Sequence, residues 1–242
     1  MYITQGLHRA RQQKPQALAL RFAGAERTNE EFFERVARLA GALQSLGMAP
    51  GERVAMLSLN SDVYLEYQFA VPWGGGVLNP CNIRWSAAEI IYTLHDCTSA
   101  ILIVDDAFKG MAAQIAREVP SLQHVIYSGQ GETPPGMQRY DTLMREAAPV
   151  EDVCRRGDDL VGVFYTGGTT GFPKGVMLSH QNLCASAAFA IAEGMAQPGR
   201  TYLHAAPMFH LADMGMAMMH VISARAASLS SISCRCRARA KC

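Results

Sequence analysis

Between Tyr165 and His180 the chain reads YTGGTTGFPKGVMLSH, a run that concentrates residues suited to one kind of chemistry. Gly167, Gly168 and Gly171 permit backbone angles closed to other residues, so successive N–H groups can converge on one anion. Thr166, Thr169 and Thr170 add hydroxyl donors. Pro173 stiffens the turn and Lys174 supplies a mobile positive charge. Amides, hydroxyls and an ammonium group together suit a polyphosphate. The run is not a P-loop: Pro173 precedes Lys174 and Gly175 follows it, so no hydroxyl stands where that motif holds Mg²⁺. The dinucleotide pattern G-x-G-x-x-G is also unmatched here.

Other reactive side chains receive plainer readings. His180 is predicted to help cap the helix that follows it. Asp105 and Asp106 end an apolar strand without partner carboxylates in pattern, and are read as solvated. Trp73 and Trp85 are read as packing residues. The methionines of 208–219 are read as core or pocket wall rather than a metal site. Cys81, Cys97, Cys154 and Cys184 show neither disulfide-framework nor metal-site spacing, which fits a reducing compartment.

The elements that must position the glycine run alternate. TNEEFFERVARLAGALQSLG opens with a Thr28/Glu31 capping box, keeps helical apolar spacing and meets Gly47 at its end. RVAMLSL reads as a buried strand. SDVYLEYQFAV reads as a helix ending at Pro72. A short strand near Val77, a helix capped by Ser86 and Glu89, and the apolar strand AILIVDD follow. Residues 107–118 read as a helix and HVIYS as a strand. Residues 129–159 are turn-rich and read as a connector. LVGVFYT is a strand that runs into the glycine loop, a helix starts near Ser179, and TYLHAAP is one further strand. Strands separated by helices predict an α/β fold, a parallel sheet with helices on its faces.

The formal net charge is +1, which argues against nucleic acid as a partner. The balance is uneven: the last twenty residues hold Arg225, Arg235, Arg237, Arg239 and Lys241 and no acid. Without these five, 17 basic residues face 21 acidic ones, and the body is mildly acidic. The N-terminus lacks the apolar segment of a secretory signal. The stretch LADMGMAMMHVI is too short for a membrane span and contains Asp213. A cytoplasmic location is expected. Residues 223–242, rich in Ala, Ser, Arg and Cys, have no periodicity and are predicted to lack packed structure. Cys234 and Cys236 are not read as a metal or redox motif.

The sixteen residues from Tyr165 to His180 resemble the phosphate-binding signature of the adenylate-forming enzymes, which include acyl-CoA synthetases, 4-coumarate–CoA ligases, luciferases and adenylation domains. Gly167 stands where that family usually has Ser. PMFHLADMG (207–215) resembles the next family motif, with Asp213 where many members have Gly. LGMAPGERVAM, NPCNIRWSAAEIIYTLHD and AILIVDD follow the family's opening order, and NPCNIRWSAAEI is most like the fatty-acyl and aryl CoA ligases. The resemblance covers residues 1–222. It implies a partial N-terminal domain of the adenylate-forming fold, layered sheets flanked by helices.

For function, the resemblance implies ATP-dependent acid–CoA ligation. A fatty or aryl carboxylate attacks the α-phosphate of Mg-ATP, and coenzyme A then takes the acyl group. Thr166, Gly167, Gly168, Thr169, Thr170, Gly171 and Lys174 would hold the β- and γ-phosphates. His210 would lie near the carboxylate and α-phosphate as the catalytic candidate, and Phe209 would line the acyl pocket. The family's Mg²⁺-binding Glu, ribose-binding Asp and C-terminal catalytic Lys are not in this sequence, and no metal ligand is assigned. The composition of 223–242 is what a GC-rich gene read out of frame would give. A frameshifted or truncated ligase is therefore expected, with little or no activity of its own. Its alternatives are an inactive fragment that binds nucleotide weakly and an adenylation module that loads a carrier protein.

Overall fold

The computed structural model describes residues 1–167, 171–196, 201–223 and 229–231. Gly168, Thr169 and Thr170 of the glycine run lie outside the described residues, as does most of the tail.

The larger sheet is built from β3 (Arg53–Leu57), β4 (Val77–Pro80), β5 (Ile101–Val104), β6 (His124–Tyr127), β7 (Gln138–Arg139), β8 (Leu160–Thr166) and β9 (Lys174–Ser179). Its order is β7-β6-β5-β3-β4-β8-β9. All neighbours are parallel except β9, which returns antiparallel to β8. A smaller sheet has the order β10-β11-β1-β2, from β1 (Leu18–Phe22), β2 (Ala25–Thr28), β10 (Tyr202–Leu203) and β11 (Leu229–Ser231). The predicted α/β architecture is present. Every residue of β5 is fully buried, as expected of a parallel strand with both faces covered.

The helices are α1 (Gln5–Gln13), α2 (Asn29–Ser45), α3 (Asp62–Trp73), α4 (Ala87–Asp96), α5 (Lys109–Glu118), α6 (Tyr140–Glu146), α7 (His180–Ala192) and α8 (Leu211–Ser223). Local chemistry fixes their starts. Thr28 and Glu31 form the predicted capping box of α2, and Ser86 and Glu89 that of α4. Gly47 takes φ +92° where the chain leaves α2, a conformation open to glycine. The helix α3 is buried from Tyr64 to Trp73 on every side, the mark of a core helix.

Several sequence expectations need correction. Pro72 does not end α3 but sits inside its last turn. The helix absorbs it there because Gly74 and Gly76 donate back to Ala70 and Val71 and close the terminus. The strand expected over TYLHAAP shrinks to Tyr202–Leu203. The connector 129–159 contains β7 and α6, and α6 buries Tyr140. Within the tail, Leu229–Ser231 pair in parallel with both β1 and β10, where no packed structure was predicted. Strand pairing uses backbone groups alone, so it needs no apolar periodicity. Asp105 and Asp106 are not simply solvated: Asp105 accepts from the Leu59 amide at 2.8 Å, and Asp106 accepts from Tyr127 and Lys109. Trp73 is 1% exposed and packs as expected.

His180 does not cap α7. Ser179 does, accepting the Asn182 amide at 3.2 Å. The His180 ring is buried instead, with Nδ1 3.4 Å from the Ile3 amide and Nε2 without a hydrogen-bond partner among the described residues. Burial holds its pKa down at about 4, from an ordinary 6.5. The unfolded chain therefore takes up this proton first as pH falls. His180's contribution to stability is complete above about pH 6.5 and is lost progressively as pH drops toward 4. Urea unfolding at pH 7 and pH 4.5 should differ by about 2–3 kcal/mol from this source. The variant His180→Leu should flatten that slope; an unchanged slope would assign the pH dependence elsewhere.

Candidate functional site

The glycine run is the connection of the β8–β9 hairpin. Thr166 pairs with Lys174 and Tyr165 with Gly175, so the residues that bring a hydroxyl and an ammonium group hold opposite positions at the mouth of the turn. The Thr166 Oγ1 lies 3.5 Å from the Lys174 carbonyl oxygen, and Thr166, Gly167 and Lys174 are all exposed. Gly171 has φ +138°, which a residue with a Cβ would rarely adopt.

Two aromatic contacts fix this hairpin to α4. Phe172, 71% exposed, stacks on Tyr92 with ring centroids 4.8 Å apart. Tyr165 donates its hydroxyl to Asp96 at 2.6 Å, and burial beside that carboxylate pushes the phenol well above its usual range. An open cleft of about 350 Å³ runs along this face, lined by Arg53, Asp96, Tyr165, Gly175 and Met177.

The second predicted motif begins after β10 and runs into the start of α8. Phe209, expected to line the acyl pocket, is buried in the main core. His210 is exposed, with its ring 4.1 Å from that of Phe209. Its carbonyl accepts the amides of Asp213 and Met214 and so starts α8. Desolvation and then the charge of Arg84 hold the His210 imidazole below its ordinary range. Arg84 precedes α4, and Tyr92 within α4 carries Phe172. The segment 84–92 therefore borders both motifs.

Several residues here escaped sequence reasoning. Asn60 and Gln68 hydrogen-bond the backbone of 204–208. Asp213, 1% exposed, accepts from the Tyr202 hydroxyl at 3.0 Å and shares a 2.6 Å hydrogen bond with His204 Nδ1. The available signal was the pair Glu66 and Gln68 inside the otherwise apolar YLEYQFAV, since a polar residue in a core helix needs a partner. Two of the thiols are not placed for chemistry: burial raises Cys81 to about 12 and Cys97 to about 11, far from thiolate at neutral pH. No helix among the described residues is long and apolar enough to cross a membrane.

The profile described as AMP-binding enzyme matches residues 7–231, beyond the limit of 222 read from motifs alone. The chain is 36% identical over 186 residues to a long-chain-fatty-acid–CoA ligase of Thermus thermophilus, covering 76% of this chain and 34% of that protein. It is 34% identical over 203 residues to a feruloyl-CoA synthase of Amycolatopsis, covering 84% and 38%. Among solved structures it is similar to the inhibitor-bound N-terminal domain of FACL13 from Mycobacterium tuberculosis. That match has 26% identity and a TM-score of 0.84, and covers 96% of this chain and 57% of the other. The chain thus spans little more than a third of the length of the curated relatives it matches.

Proposed function

The chain belongs to the AMP-binding enzyme family, and from that premise we propose that it carries the phosphate-binding half of an ATP-dependent acid–CoA ligase. A carboxylate oxygen attacks the α-phosphate of ATP, pyrophosphate leaves, and a thiol later displaces AMP from the acyl-adenylate. The protein's share is to hold the reactants in line and offset the charge that builds on phosphate. The acid is fatty or aryl and the thiol is coenzyme A, in keeping with the relatives' own substrates.

The observation that carries the reading is the hairpin mouth, where Thr166 and Lys174 stand opposite each other across the exposed glycine turn. Thr166, Gly167, Gly171 and Lys174 would cradle the β- and γ-phosphates, with Gly168, Thr169 and Thr170 completing the turn. His210 would stand near the carboxylate and the α-phosphate. Its depressed pKa leaves it neutral near pH 7, so it can accept or donate one hydrogen bond without repelling Arg84. ATP would bring Mg²⁺ with it, and none of the described residues is assigned to the metal. The protein would work in the cytoplasm, where its buried thiols stay reduced.

Lys174→Ala should weaken binding of a non-hydrolysable ATP analogue by about 10–100-fold, the loss of one charge-assisted phosphate contact. Calorimetry on the 242-residue chain measures this, and equal affinities would remove Lys174 from the site. Carboxylate-dependent exchange of pyrophosphate into ATP, run over a panel of fatty and aryl acids, tests the chemistry. Binding without exchange would favour an inactive nucleotide-binding fragment, and transfer to a carrier domain in preference to CoA would favour the carrier-loading alternative.

A further inference from the structure

Residues 204–208, which lead into Phe209 and His210, lie outside any strand or helix. Their backbone polar groups must find partners elsewhere. One side chain supplies three of them. Asn60, just before the Ser61 cap of α3, donates through Nδ2 to the His204 carbonyl at 3.0 Å and the Ala206 carbonyl at 2.7 Å. Its Oδ1 accepts the Met208 amide at 2.8 Å. Both amide protons and the oxygen are used, a set that only a side-chain amide offers. From the second turn of the same helix, Gln68 donates to the Met208 carbonyl at 3.1 Å.

A rival anchor is the Asp213–His204 bond. It ties α8 to residue 204, but it leaves the polar groups of Ala206 and Met208 unanswered. Among the described residues, only Asn60 spans the stretch from 204 to 208.

We infer that Asn60 is the positioning residue of this loop: its three hydrogen bonds set the course of 204–208, so that Phe209 turns into the core while His210 stays at the surface. The consequence for catalysis rests on the reading of His210 proposed above; the positioning itself does not.

The test uses the whole chain without ligand. Two readouts are followed by NMR: hydrogen exchange at the Met208 amide and the titration midpoint of the His210 imidazole. In Asn60→Ala, Met208 should exchange about tenfold or more faster, the effect of one lost buried hydrogen bond. The His210 midpoint should rise toward that of an ordinary histidine as the loop takes up water. Amides of β3 and β5 should keep their wild-type rates. Asn60→Asp keeps the acceptor for Met208 but has no donor for His204 and Ala206. It should retain more Met208 protection than Asn60→Ala while still moving the His210 midpoint.

A shift of neither readout in a folded Asn60→Ala protein would overturn the inference. Should neither variant fold, the wild-type protein decides. Scalar couplings across hydrogen bonds from the Asn60 side-chain nitrogen to the His204 and Ala206 carbonyl carbons should be detectable, and their absence would overturn it too. Failure of an acyl-adenylate analogue to bind the wild-type chain would instead sink the ligase reading and leave the loop result standing.

Discussion

Glu66→Ala should cost the fold about 3–5 kcal/mol, because it removes one member of a buried charge network and strands the others. Glu66 is fully buried in the middle of α3. Arg35 of α2 grips both of its oxygens, the second at 3.0 Å, and the Tyr140 hydroxyl donates to the same carboxylate from α6. Arg27 adds a more distant charge at 3.8 Å. Burial raises the Glu66 pKa while Arg35 and Tyr140 pull it back, and Glu66 in turn holds Arg35 above its usual range. Removing the carboxylate would leave a half-buried guanidinium and a buried phenol without their acceptor. Guanidinium unfolding followed by circular dichroism measures the loss. Removing both charged partners together, Glu66→Leu with Arg35→Met, should recover part of it, since an apolar pair of similar volume removes the buried charges while the Tyr140 hydroxyl still lacks its acceptor. A single variant as stable as wild type would show that the network contributes nothing net.

Trp73→Ala should be as severe, at about 3–5 kcal/mol for the lost packing and cavity alone. The indole joins four parts of the chain. It stacks on His8 of α1 at 4.9 Å, meets Phe33 of α2 edge-on at 4.8 Å, and ends α3 itself. Its Nε1 donates to the Val150 carbonyl at 2.9 Å, holding the segment after α6. Truncation would open a large void and leave that carbonyl unpaired, adding about 1–3 kcal/mol if water cannot reach it. Trp73→Phe keeps a ring but not the donor, and should lose only part of the total. Against a typical domain stability of about 5–15 kcal/mol, the alanine variant should populate unfolded chain at room temperature. Wild-type-like unfolding by Trp73→Ala would mean that the four elements hold together without it.

Much was legible in the sequence because local chemistry wrote it there. The capping boxes at Thr28/Glu31 and Ser86/Glu89, the left-handed Gly47 and the apolar run of β5 depend on residues within a few positions of one another. So does the strand that delivers Thr166 to the glycine turn. The order of residues from Tyr165 to His180 gave the resemblance that the family match over residues 7–231 bears out. What tertiary structure alone decided is everything that depends on who lies opposite. His180 reads as a cap by its position, yet its ring is buried against the N-terminal segment, 177 residues away in sequence. Asn60 has no periodicity or motif to mark it, and its partners stand 144 to 148 residues further on. Glu66 is conspicuous in an apolar helix, but only the fold names Arg35 and Tyr140 as its partners. Caps and strands are set by short-range backbone geometry, which a sequence carries in its spacing. Buried polar pairs are set by long-range packing, where the cost of an unpaired group selects a partner that no local pattern announces.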